Sequence, residues 1–346
     1  MSEKPLSERV GAPVAPPSPQ HPEIARWRPA TRDDIDAVHA VAVAADAVDH
    51  PTWTTPRSEI ADDFELAHLD PARDTLLAEA ADGTVVGYAG AMLHPSRENG
   101  ELTVYLSGAV HPDHRRRGIG TQLMAWANGR GREHLAETAA AEDGLTAAEL
   151  KVYAEEPNTD QQKLAERLGF RAERWFSSML RDLGEPVPER VEPEGITVVA
   201  YSHDRDDDAR EARNDAFRDH WGSRPSDPQR WKQFVGGEFF RTDLSRLALD
   251  TDGRIVAFCL ASVNEDDWVT LGASNAYIDL IGVVRDHRGQ GLAPLVVSRT
   301  LKAIADAGLE KAVLDVDTAS PTGANTLYER LGFTATERSV ALVAHL

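Results

Sequence analysis

The sequence predicts two similar α/β (α+β) domains in tandem, each a mixed sheet with helices on its faces. Three observations carry this. A basic, glycine-rich elbow occurs twice, at Val110-His111-Pro112-Asp113-His114-Arg115-Arg116-Arg117-Gly118-Ile119-Gly120 and at Val283-Val284-Arg285-Asp286-His287-Arg288-Gly289-Gln290-Gly291-Leu292-Ala293. Gly118 and Gly291 lie 173 residues apart, and at that offset Val110/Val283, Asp113/Asp286, His114/His287 and Arg115/Arg288 coincide. Both halves end a later helix in Leu-Gly-Phe, at Leu168-Gly169-Phe170 and Leu331-Gly332-Phe333. The order strand, helix, antiparallel hairpin, strand, helix, strand, helix, strand then fits each half, which gives a mixed sheet covered by helices.

Residues 1–23 hold Pro5, Pro13, Pro16, Pro17, Pro19 and Pro22 and few large apolar groups, so they read as a disordered tail. Ile24 to Arg28 is a strand, and Thr31 caps a helix whose first turn holds Asp33 and Asp34. Asp82-Gly83 turns a hairpin between Thr75–Ala80 and Thr84–Ala89. Leu102 to Val110 is the strand that enters the first elbow, and a helix leaves it from Gly120 to about Arg130. An acidic, alanine-rich stretch follows, from Glu133 to Ala148. Leu150 to Tyr153 is a strand, Asp160 to Leu168 a helix capped by Gly169, and Phe170 to Leu180 a strand that closes a first domain of residues 24–183. The polar, proline-rich residues 184–195 form a stiff linker. The second domain, 196–346, repeats the series: strand Ile196–Ala200, helix Asp206–Phe217, hairpin at Asp252-Gly253, strand Tyr277–Val284, helix Leu292–Ala307, strand Ala312–Val316 and helix Gly323–Leu331. Leu168 and Leu331 are 163 residues apart rather than 173, so the first half carries ten extra residues, placed in the alanine-rich stretch.

Composition narrows the function. A length of 346 residues suits two domains, and 41% hydrophobic with 27% charged residues is globular. A formal charge of −20 disfavours nucleic acid and anionic membrane as partners; it either attracts cationic ligands or serves solubility. The single cysteine, Cys259, excludes an intramolecular disulfide and reads as a buried, inert thiol. The twelve histidines show no paired spacing, so no metal is expected. No window reaches the roughly 18 apolar residues of a membrane span. The N-terminus has no apolar core that could make a signal peptide, which points to a cytoplasmic protein.

Each elbow joins a strand to a helix and so aims backbone N–H groups at one spot beside the positive end of a helix dipole. A dinucleotide fingerprint would need glycine where Leu123 and Pro294 stand, and the Gly-Lys-Ser/Thr of a P-loop is absent. What remains is Arg-x-x-Gly-x-Gly/Ala, at Arg115-Arg116-Arg117-Gly118-Ile119-Gly120 and Arg288-Gly289-Gln290-Gly291-Leu292-Ala293. In these residues, and in the Leu-Gly-Phe endings, the chain resembles the GNAT superfamily of N-acetyltransferases. The resemblance runs from about residue 24 to the end, as two units of a mostly antiparallel sheet. It implies that acetyl-CoA is the cosubstrate and that the elbows cradle its pyrophosphate. Gly289 and Gly291 would let the amides of residues 289–293 approach closely, and Arg288 either adds charge or only sits at the helix mouth. Ile281, Gly282, Val283 and Val284 would pair with the peptide-like pantetheine arm.

The resemblance further implies direct transfer of acetyl to an amine, with an acid that protonates the leaving thiolate. Tyr328, in Ser320-Pro321-Thr322-Gly323-Ala324-Asn325-Thr326-Leu327-Tyr328, occupies the position of the family's tyrosine acid, although a helix tyrosine can also simply pack on the sheet. Ser320 stands where many members carry asparagine. Ala165 occupies the tyrosine position of the first half, so that half is expected to be degenerate while still able to bind coenzyme A; nothing argues for Tyr153 or Tyr105 as substitutes. Asp279 stands where members often place a base, and the alternative is a surface carboxylate. Alternation sets it on the face opposite Ile278 and Leu280. Glu238 and Glu265 are weaker candidates. The segment from Asn214 through His220 and Trp221 to Trp231 and Phe234 would either wall an acceptor pocket or pack the core. The expected function is acetylation of a small-molecule amine in the C-terminal half. The competing one is a coenzyme A-binding sensor or scaffold without turnover.

Overall fold

The computed structural model describes residues 4–50, 52–319 and 323–346. The chain divides into two compact units, the first holding residues up to Arg174 together with Ser339–Leu346, the second Trp175–Arg338. The first stretch of chain runs through α1 (Leu6–Val10), β1 (Arg26–Arg28), α2 (Ile35–Asp49), α3 (Arg57–Asp63), α4 (Pro71–Asp74), β2 (Thr75–Glu79), β3 (Val85–Leu93), β4 (Glu101–Val110), α5 (Ile119–Ala141), β5 (Ala147–Glu155), α6 (Thr159–Arg167) and β6 (Arg171–Asp182). The second runs through β7 (Thr197–Ala200), α7 (Asp206–Ala216), α8 (Pro228–Gly236), β8 (Arg246–Leu249), β9 (Ile255–Ser262), α9 (Asp266–Leu271), β10 (Asn275–Val283), α10 (Leu292–Asp306), β11 (Lys311–Asp317), α11 (Ala324–Arg330) and β12 (Thr334–His345).

In the first unit the strand order is β1-β2-β3-β4-β5, and β12 pairs antiparallel with β5 from Ser339↔Glu155 to His345↔Glu149. In the second it is β6-β11-β10-β9-β8-β7. All pairs but one per unit are antiparallel, and the exceptions are β4–β5 and β10–β11. Local chemistry starts the helices. Asp70 and Asp227 accept amide hydrogen bonds ahead of Pro71 and Pro228, and Asp206, Asp207 and Asp208 occupy the positive end of α7. In the second unit α10 buries Leu295, Val296, Leu301 and Ile304 against β8, β9 and β10. In the first, α5 packs on β3 and β4, while α2 buries Val38 and Val41 with Leu77 and Val85.

Three expectations are corrected. The N-terminal segment is not a loose tail from residue 4 on. Leu6 is buried, α1 packs on α5 and β5, and a Cβ on Gly129 of α5 would meet the Pro17 ring at 2.6 Å. Prolines need no backbone partner for their nitrogens, so such a segment can lie along a helix without joining a sheet. Secondly, α5 does not stop near Arg130. It has 23 residues against 15 in α10, so most of the additional chain in the first half is helix, as its alanine content favours. Thirdly, the unit boundaries are not 24–183 and 196–346: Trp175–Leu183 belong to the second unit and Ser339–Leu346 to the first. Helices α3, α4, α8 and α9 add to the elements expected from the sequence.

The docked N-terminal segment has a measurable consequence. Leu6→Ala is expected to destabilise the protein by about 2 kcal/mol, the low end for a buried leucine. The midpoint of urea unfolding reads this directly, and an unchanged midpoint would mean that the segment is not docked.

Candidate acetyl-transfer site

The two elbows share one backbone course. Gly289 and Gly291 have φ of +75° and +76°; Arg116 and Gly118, at the same offset, have +65° and +100°. A Cβ on Gly289 or Gly291 would meet nothing within 4 Å, so the concave side of the second elbow is open. Amides of residues 289–293 donate to no backbone carbonyl among the described residues. Open space and free donors beside the start of α10 fit a pyrophosphate.

The arginines of the elbows do other work. Arg115 makes a two-pronged pair with Asp49 at the end of α2, at 2.7 and 2.8 Å, and its Nε donates to the carbonyl of Val110. Arg288 donates to Asp219 at 3.1 Å and to the carbonyl of Ala216 at 2.8 Å. Each therefore clamps its elbow to the helix on the other side of the cleft. Arg116 pairs with Asp160, and Arg117 with Glu23 at 3.0 Å, while the His21 ring bonds the Arg117 carbonyl at 2.7 Å. The partners Asp49 and Asp219 were not singled out in sequence, where only their carboxylates could have drawn notice.

Beside each elbow the central parallel pair parts. The β4–β5 ladder ends at Tyr105↔Lys151, and the β10–β11 ladder at Tyr277↔Val313. Ile281, Gly282 and Val283 thus line an edge that has lost its parallel neighbour. In the first unit this opening is a cavity of about 420 Å³, a volume typical of ligand sites. It reaches from Leu106 and Val110 past Gly118, Ile119's neighbour Gly120 and Thr121 to Asn158. In the second unit Phe258 closes over Gly282, where a Cβ would sit 2.2 Å from the ring.

Asp279 stands at a β-bulge. Ile278 pairs with Ala261 and Leu280 with Leu260, so Asp279 is the extra residue. The slip corrects the expected alternation: Ile278 and Leu280 face opposite sides of the sheet, because one inserted residue inverts the pattern beyond it. Burial pushes the Asp279 carboxyl up to about 7, against a hydrogen bond with Ser262 that lowers it. Its Oδ2 is buried without a partner. The β3–β4 ladder of the first unit runs without a bulge from Gly87↔Val110 to Leu93↔Val104, and Leu106 and Ser107 lie where Asp279 would fall.

Tyr328 is buried on α11, edge-on to Phe333 with centroids 6.0 Å apart. Burial raises its phenol well above the ordinary value, so it stays protonated. Ser320 lies outside the described residues. Cys259 is fully buried and its thiol pushed up to about 12, an inert group. Trp231 is core, packed on Phe234, and Glu238 and Glu265 are exposed. The His220 ring bonds the Trp221 carbonyl at 3.1 Å.

This geometry is that of an acyl-CoA-dependent transferase, and comparison with known proteins agrees. The profile of the acetyltransferase (GNAT) family matches residues 40–170 and 207–333. The chain belongs to that family, as a tandem N-acetyltransferase. Among its relatives, a mycothiol acetyltransferase of Nocardia farcinica is 30% identical over 322 residues, covering 90% of this chain and 95% of that one. A second, from Salinispora tropica, is 30% identical over 282 residues, covering 79% and 83%. Among solved structures, a GCN5-related N-acetyltransferase from Sphaerobacter thermophilus superposes with a TM-score of 0.67 at 28% identity, covering 94% of this chain and 97% of that one. A tandem GNAT protein from the clavulanic acid biosynthesis pathway shares the fold, with a TM-score of 0.64 at 17% identity, covering 92% and 98%. Members of the family take their acetyl group from acetyl-CoA. Among the described residues no helix is long and apolar enough to cross a membrane.

Asp279 ties chemistry to stability. Its folded carboxyl holds a proton up to about pH 7, so its contribution to stability is complete below the unfolded value and lost as pH rises through 7. Asp279→Asn removes that loss. The variant should be more stable than wild type by roughly 2–4 kcal/mol at pH 8 and by little at pH 4. Thermal melts at the two pH values test this, and an equal shift at both would contradict it.

Proposed function

We propose that the second unit transfers acetyl from acetyl-CoA to the primary amine of a small molecule, with Asp279 as base and Tyr328 as acid. The observation that carries this is the bulge, at which Asp279 lies two residues beyond the last β10–β11 rung with its carboxyl pushed up to about 7 by burial. Acetyl-CoA, when bound, supplies the thioester. Amides of Gly289, Gln290, Gly291, Leu292 and Ala293 hold the pyrophosphate, and Ile281, Val283 and Val284 hold the pantetheine arm. Asp279 takes the proton of the attacking ammonium, directly or through water. The amine nitrogen bonds the carbonyl carbon, the carbon–sulfur bond breaks as Tyr328 gives its hydroxyl proton to the departing sulfur, and the second proton shed by the nitrogen returns to the Tyr328 oxygen through solvent.

The first unit carries neither group, since Ala165 replaces the tyrosine and Leu106 and Ser107 stand near the base position. Its 420 Å³ opening supports a second reading for that unit alone: coenzyme A bound at Val110 and Arg115–Gly120 without turnover. The mycothiol acetyltransferase relatives favour a cysteinyl-sugar amine as acceptor.

Tyr328→Phe should cut kcat by about 10²-fold or more, the scale of general-acid catalysis, with acetyl-CoA affinity retained. Equal losses in both would make Tyr328 a packing residue. Gly291→Glu brings a side chain and a negative charge into the cradle, at a backbone angle that L residues rarely adopt. It should reduce the calorimetric stoichiometry of coenzyme A from two sites to one. A turnover–pH profile should show an ascending limb centred near pH 7, lost in Asp279→Asn.

A further inference from the structure

We propose that Asp315, held between Tyr277 and Ser178, binds the acceptor, and that it selects an amine bearing hydroxyl groups over a simple alkyl amine. This rests on the assignment of catalysis to the second unit. The Tyr277 hydroxyl donates to Asp315 Oδ2 at 2.9 Å, at the point where β10 and β11 part. Ser178, the cross-strand partner of Asp315 on β6, donates to the other carboxylate oxygen. The carboxylate is thus oriented from both sides. Each of its oxygens keeps a further lone pair, and the residue is exposed.

Asp279 belongs to the same face. Its partner Ser262 lies opposite Tyr277 on the β9–β10 ladder. Asp279 and Asp315 therefore lie to either side of Tyr277, each two residues beyond the last rung between β10 and β11.

A second observation points to a ligand. Asp317, two residues beyond Asp315 along β11, is 3% exposed, and its Oδ2 has no hydrogen-bond partner among the described residues. A buried carboxylate oxygen left open calls for a donor. Phe176 pairs with Asp317 on β6 and lies 6.3 Å from the Trp221 ring, which adds an apolar wall. Carboxylates beside an aromatic wall suit a ring that carries hydroxyls on its edge and C–H groups on its face. In the first unit Tyr153 stands two residues beyond the end of the parallel ladder, where Asp315 stands here, and no such carboxylate exists at that position.

The test compares two acceptors with the same reacting amine: cysteinyl-glucosamine, which has the hydroxyls, and cysteinamide, which lacks them. Asp315→Asn should raise KM for cysteinyl-glucosamine about tenfold or more, as loss of a hydrogen bond to a charged group does, while kcat and the KM for cysteinamide hold. Tyr277→Phe should move the same KM in the same direction by less. Calorimetry of cysteinyl-glucosamine with coenzyme A present separates this subsite from the catalytic assignment. If wild type acetylates neither acceptor but binds cysteinyl-glucosamine more tightly than Asp315→Asn does, the catalytic assignment fails and the subsite stands. An Asp315→Asn protein that melts like wild type and treats both acceptors as wild type does overturns the subsite, as does one that loses both acceptors equally.

Discussion

A parallel strand pair that stops pairing after a few residues sets the terms for the rest of each unit. β10 and β11 share three rungs and β4 and β5 five before they diverge. Divergence leaves strand amides without a neighbour, a condition a folded protein tolerates only at a surface or a ligand site. The elbow follows at the end of the same strand, so the edge and the anion cradle lie along one line. The Asp49–Arg115 and Asp219–Arg288 pairs then fix the elbow against the helix across the cleft.

The two units show how one frame carries different chemistry. The elbow course is kept even where the sequence opposes it: Arg116 adopts a left-handed backbone that Gly289 reaches without strain. The side chains are not kept: Ala165 stands at the place of Tyr328, and Leu106 at that of Asp279. One inserted residue in β10 makes Asp279 the bulged position, and β4 has no such insertion. The first unit has a cavity of about 420 Å³ beside its elbow, where the second has Phe258 over Gly282.

The fold was legible because its signals are local and doubled. Apolar runs, Asp-Gly turns and glycine elbows each fix a short stretch of backbone, and their recurrence at a fixed offset confirmed the series. Tyr328 was legible through the family's ending. Other features depend on contacts between distant residues. A bulge leaves no mark in composition, so the direction of Leu280 was misplaced. The carboxylates of Asp49, Asp219 and Asp315 read as ordinary surface acids until the fold brings Arg115, Arg288 and Tyr277 to them. Docking of the N-terminal segment turns on one leucine and a run of prolines, which composition alone assigns to disorder.

The exchanged final strands bear on how the protein is made. The first unit's β5 gains its antiparallel neighbour from Ser339–His345, which follow the whole second unit in sequence. During synthesis that edge stays open while the whole second unit is translated, an exposed strand of the kind that invites wrong pairing. The first-made half therefore stays incomplete until Ser339–His345 have been translated, and a cut at 184–195 would yield no complete half.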